Sequence, residues 1–108
     1  MSSNSLSLNS LPQFDGANWT IWSQGIKAYL SYLSIDNHIT TTLTPPTDPD
    51  DLEKFEQNAK KASSLVMLST KSSLWHLFGS KEGPKERFDI LKAKYEKTGA
   101  LTAFSYFD

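Results

Sequence analysis

Residues 14–33 read FDGANWTIWSQGIKAYLSYL, and the placement of the large apolar side chains in that stretch decides the fold. Trp19, Trp22, Ile26, Tyr29, Leu30 and Leu33 recur at spacings of three and four, which lays them along one stripe of an α-helix. Asn18 stands where an N-cap is expected, its side chain able to accept from free N–H groups of the first turn. Phe14 and Gly16 precede it, so an aromatic ring can fold back onto the helix as a hydrophobic staple. Gly25 within the helix costs about 1 kcal/mol relative to Ala. Either close packing uses its missing side chain or the helix is weak there.

Working outward, residues 36–47 read as a loop, because Thr40, Thr41 and Thr42 and then Pro45-Pro46 interrupt any regular element. A second helix follows with a well-marked start: Asp48 as cap, Pro49 at the first helical position, and Asp50, Asp51 and Glu53 beside the positive helix end. Its stripe runs Leu52, Phe55, Ala59, Ala62 and Val66. Leu65 and Leu68 widen that stripe, so the second half is expected to be more buried than the first. The run SSLWHLF reads as a short helical turn ending at Gly79. A third helix opens at Pro84, carries Phe88, Leu91 and Tyr95 on one face with Ile90 beside them, and stops at Gly99. The expected fold is all-α, a small bundle of three main helices with short helical segments.

Residues 1–12 are rich in Ser and Asn with scattered Leu, too polar to offset their ordering entropy, and read as a flexible arm. Residues 13–108 form the expected lobe. A chain of 108 residues supports one domain with one core. Eleven Lys+Arg against twelve Asp+Glu leave a net charge of −1, so no global field draws the molecule onto nucleic acid or an anionic membrane. Cysteine is absent, which excludes disulfides, thiolate zinc sites, iron–sulfur clusters and a cysteine nucleophile. The N-terminal residues lack the basic and apolar regions of a signal peptide, and no apolar run reaches membrane-span length. An intracellular, cytoplasmic protein with no membrane partner is expected.

Taken in order, LPQFDGANWTIWSQGIKAYL, a Pro-bearing loop, an acidic helix start, AKKASSLVMLS and GPKERFDILKAKYE together resemble the amino-terminal Gag (capsid) region of copia-type long-terminal-repeat retrotransposon polyproteins. The family pattern Phe-x-Gly-x-Asn-aromatic-x-x-Trp falls on Phe14, Gly16, Asn18, Trp19 and Trp22. Its Ala-rich helix falls on Ala59 and Ala62, and its aromatic-x-x-Leu-x-x-x-Tyr helix on Phe88, Leu91 and Tyr95. Phe88 stands where the family usually has Trp. The resemblance covers residues 11–108 and ends before the helices of a second capsid lobe and any zinc knuckle, so a C-terminally truncated lobe is expected. It implies a structural protein that packs against copies of itself and other Gag segments in a particle enclosing element RNA. The alternative is a stand-alone helical adaptor, a domesticated or remnant Gag, that binds a peptide or protein partner.

Trp19 and Trp22 could stack on bases, yet they lie on the apolar stripe with only Lys27 nearby, which favours a core role. His38 and His76 lack the companions of a metal site. No serine has a recognisable base and oxyanion hole, and no Gly-rich loop precedes a Lys-Ser/Thr pair. Neither a catalytic residue, a cofactor, a metal nor a small-molecule substrate is expected. Lys81, Lys85, Arg87, Lys92, Lys94 and Lys97 alternate with Glu82, Glu86, Asp89 and Glu96. That mixture reads first as a solvated helix face, with Lys85, Lys92 and Lys94 as candidates for weak RNA contact. Phe104, Tyr106 and Phe107 are candidates for self-association.

Overall fold

The computed structural model describes residues 11–96. Its elements are α1 (Trp19–Tyr32), a one-turn α2 (Asn37–Thr40), α3 (Pro49–Leu68), a 3-10 helix (Ser72–Phe78) and α4 (Pro84–Leu91), which passes into a π-helical turn (Lys92–Glu96). The fold is an all-α globule, with no strand among the described residues; Phe14 and Thr70 form one isolated parallel bridge. Gly99 and the aromatic residues Phe104, Tyr106 and Phe107 lie outside the described residues.

The α1 stripe packs as its spacing requires: Trp22, Ile26 and Leu30 have no solvent exposure, and Trp19 is buried beside them. Asn18, however, does not cap with its side chain. Its Oδ1 accepts from the Asp15 N–H at 3.1 Å and its Nδ2 donates to the Gln13 carbonyl at 2.9 Å. The side chain therefore folds the preceding loop, placing Phe14 against the helix, in competition with the cap geometry. At the other end, Ser34 adopts φ 64°, its N–H donates to Ser31 O, and the Ile35 N–H donates to Leu30 O. That is a Schellman stop with serine in the left-handed position usually held by glycine.

The loop expected over residues 36–47 contains α2, which buries His38 and Ile39. Four residues are too few for a helical period to register in the sequence, and core contact rather than propensity holds them. The α3 start is as expected, with Asp48 Oδ2 accepting from the Asp50 and Asp51 N–H groups at 3.1 Å each. Its buried residues, Ala62, Ser63 and Val66, all fall in the second half. Leu68, expected to widen the buried stripe, is instead 53% exposed, because at about 100° per residue it stands on the far side of α3 from Ala62 and Val66; Ser69 and Thr70 are buried just beyond it. Trp75 clamps this corner by donating from Nε1 to Met67 O at 2.9 Å and Thr70 O at 2.8 Å.

At the entry to α4, Glu86 reaches back to accept from the Gly83 N–H at 3.3 Å, the half of a capping box that a glycine cap allows. Arg87 ties α4 to its surroundings, donating from Nε to Lys81 O at 3.0 Å and from Nη1 to Ser63 O at 3.4 Å. Ser63 in turn donates from its hydroxyl to Glu82 O. These bonds fix the distance between α3 and α4, which matters for the cleft described below.

Candidate functional site

The family-motif residues converge. Phe14 lies 4.9 Å from Trp22 and 4.9 Å from Tyr95 between ring centroids, and Trp19 lies 5.5 Å from Phe88. Trp22 and Phe88 stack at 6.0 Å, and Leu91 is fully buried in the same core. Gly16 belongs to this cluster for a backbone reason: its φ is +96°, and the Tyr95 ring would sit 3.6 Å from any Cβ placed there. The Trp22 Nε1 donates to Ser69 Oγ at 3.1 Å, so even its polar edge is satisfied inside. No ring of the tryptophan pair is left open for stacking on a base. Phe14, Trp19, Trp22, Phe88 and Leu91 are buried in the core, whereas Gly16, Asn18 and Tyr95 are partly buried at its edge.

Two surfaces remain outside that cluster. On α1, the face opposite the core carries Ile21, 60% exposed, and Tyr32, 51% exposed, with the exposed Ala28 between them. Helical geometry aligns positions 21, 28 and 32. Leu11 packs beside this face, its Cδ1 only 2.6 Å from where a Cβ on Gly25 would stand. Close packing, then, is what Gly25 serves. Leu11, expected within a flexible arm over residues 1–12, is half-buried against the core; residues 1–10 lie outside the described residues.

The second surface is a cleft of about 360 Å³ between α2, the chain leaving it, α3 and α4. Leu43, Phe55, Ala59 and Pro84 supply apolar lining. His38 closes one end, its ring 5.0 Å from that of Phe55, and burial lowers its pKa below the ordinary histidine value. The α4 wall bears Lys85, Glu86 and Asp89, and the Lys85 ammonium is held on Asp89 Oδ2 at 2.6 Å. Sequence reasoning missed this cleft, because its lining comes from four separate segments and no local spacing announces it.

The basic candidates do not come together as one site. Lys85 sits in the cleft wall in its ion pair, whereas Lys92 and Lys94 are exposed on the π-helical turn, with Lys94 Nζ 5.7 Å from the Tyr95 ring centroid. His76 is exposed on the 3-10 helix and His38 is buried. Among the described residues, no three His, Asp or Glu side chains gather where they could hold a metal ion, and no helix is long and apolar enough to cross a membrane.

No protein-family model, curated protein or solved structure matches this chain.

Proposed function

We propose that the chain is a self-associating capsid-type Gag lobe of a copia-like retrotransposon, a structural protein that contributes to a cytoplasmic particle packaging element RNA. The observation that carries the self-association is the outer face of α1. Ile21, Ala28 and Tyr32 form an apolar strip on a helix whose sole charged side chain is Lys27. A strip with so little charge meets its own copy without like-charge repulsion, and a two-fold axis would use it on both partners. One such contact is small, and many copies supply avidity. The motif cluster supports the family reading in a different way: Phe14, Gly16, Trp19, Trp22, Phe88, Leu91 and Tyr95 hold one core together, so their sequence pattern has a structural reason.

Sedimentation velocity across a hundredfold concentration range tests the reading, with electron microscopy of the concentrated sample. Growth into large species that is suppressed in Ile21→Lys and Tyr32→Lys is expected. A monomer at every concentration, or assembly indifferent to both substitutions, overturns it. RNA contact through Lys85, Lys92 and Lys94 is tested on the same particles: charge reversal at Lys92 and Lys94 should lower RNA retention and flatten its dependence on salt.

A further inference from the structure

The cleft between α2, α3 and α4 lies away from the α1 face and takes no part in the assembly reading. From its shape and charge we infer that it is a binding site for an extended peptide segment in which an aliphatic or aromatic side chain is flanked by lysine or arginine.

Three observations lead there. The lining formed by Leu43, Phe55, Ala59 and Pro84 suits an apolar anchor, and a volume of about 360 Å³ accepts one or two side chains rather than a whole helix. Beside the cleft, the chain leaves α2 in an extended conformation, with Thr41 at φ −138° and ψ 143°. Thr42, Leu43 and Thr44 donate no backbone hydrogen bond to a described residue. Successive N–H groups of an extended segment point to opposite edges, so those of Thr42 and Thr44 share one edge and are available to the carbonyls of a strand laid alongside, in the manner of strand addition. Pro45 and Pro46 follow directly and limit that ladder to a few residues.

Charge then selects the ligand. The charged side chains that line the cleft are Lys85, Glu86 and Asp89; α3 lines it with Phe55 and Ala59, on a helix that carries Asp50, Asp51, Glu53 and Glu56 after its Asp48 cap, against Lys54, Lys60 and Lys61. On the α4 wall, Lys85 is already engaged by Asp89, and Glu86 faces Lys81 at a loose 3.9 Å. A basic peptide finds the Glu86 carboxylate in the α4 wall, left over once Lys85 and Asp89 have paired, whereas an acidic peptide meets repulsion there. Because α3 and α4 are tied through Arg87 and Ser63, the cleft is preformed and needs no opening step.

The test uses the full 108-residue chain, labelled with nitrogen-15, and three capped hexapeptides: alternating leucine and lysine, alternating leucine and glutamate, and alternating serine and lysine. Saturable amide shifts centred on His38, residues 41–44, Phe55 and Ala59 are expected with the leucine–lysine peptide alone. Ala59→Trp, which fills the cleft, should abolish them. Glu86→Gln, which keeps the apolar lining and an acceptor for the Gly83 N–H while removing the charge, should weaken binding by up to about fivefold, the scale of one solvent-screened charge pair. Equal shifts with the leucine–glutamate or serine–lysine peptide overturn the assignment, as does the absence of shifts with any of the three. Cleft shifts that follow protein concentration without added peptide would make the occupant a second copy and overturn it too.

Discussion

Phe14 and Tyr95 meet edge to face, their ring centroids 4.9 Å apart and their planes at 79°, although they stand near opposite ends of the described chain. Phe14 also carries backbone bonds to the corner after α3, donating to Ser69 O and accepting from the Lys71 N–H, both at 2.8 Å. It is fully buried. Phe14→Ala removes a ring from the centre of the motif cluster and should cost about 3–5 kcal/mol. Against the roughly 5–15 kcal/mol that stabilises a small domain, chemical denaturation should show a large fall in midpoint. A loss under about 1 kcal/mol would mean the cluster collapses to fill the void or does not anchor the fold.

Ser34 holds a left-handed backbone at φ 64° in the stop after α1. Glycine adopts that conformation without the clash a Cβ brings. Ser34→Gly should therefore raise stability by about 0.5–1 kcal/mol, read as an increase in Tm, with the helix content unchanged.

Gly25 and Leu11 should behave as a coupled pair. Alanine at position 25 improves helix propensity by about 1 kcal/mol but drives its Cβ into the end of Leu11, a flexible side chain. Gly25→Ala alone is expected to be nearly neutral, and in a Leu11→Ala background it should stabilise by close to the full propensity gain. Strictly additive effects in the double-mutant cycle would show that the two residues do not touch in solution.

His38 makes stability depend on pH. Burial holds its folded-state pKa below the ordinary value, so the unfolded chain binds its proton first as pH falls. Its contribution is full above the unfolded pKa of about 6.5 and is lost as pH drops through the lower folded value. Charged groups facing the same cleft are Lys85, Glu86 and Asp89. Denaturation midpoints for the native protein should decline below about pH 6.5, and more shallowly for His38→Phe. Parallel curves for the two would place the acid sensitivity elsewhere.

Removing the Asp48 cap is the control on local helix energetics. Asp48→Ala leaves the Asp50 and Asp51 N–H groups without their carboxylate partner and should cost about 1 kcal/mol. Hydrogen exchange should quicken in the first turn of α3 while the aromatic cluster stays protected.

What could be read in advance was whatever local chemistry dictates. Asp48 with Pro49 marks a helix start by itself, and the Trp19, Trp22, Ile26 and Leu30 spacing marks a buried face by itself. Gly25 left close packing and a weak helix both open, and nothing local named Leu11 as the neighbour that decides between them. Asn18 misled because the same side-chain oxygen that can cap a helix can equally accept from Asp15, and only the fold of the loop chooses between them. Leu68 misled because it lies on the far side of α3 from Ala62 and Val66, where the helix meets solvent. The cleft was invisible for a deeper reason: Leu43, Phe55 and Pro84 are unremarkable in their own segments and become a surface only when α3 and α4 are set apart by Arg87 and Ser63.

The bridge from Phe14 to Thr70 also bears on how quickly this molecule can find its structure. Helical proteins whose contacts are local fold fast, since little chain has to be searched before each contact forms. Here the first helix cannot complete its core until the far end of α3 arrives to receive Phe14 and the indole of Trp22. We expect closure of the long loop between them, rather than helix growth, to limit the rate. Weakening the meeting point, for instance by Ser69→Ala, should slow refolding more than it speeds unfolding if that closure belongs to the transition state. An all-helical chain would in that respect share one slow step with proteins built from distant strand pairings.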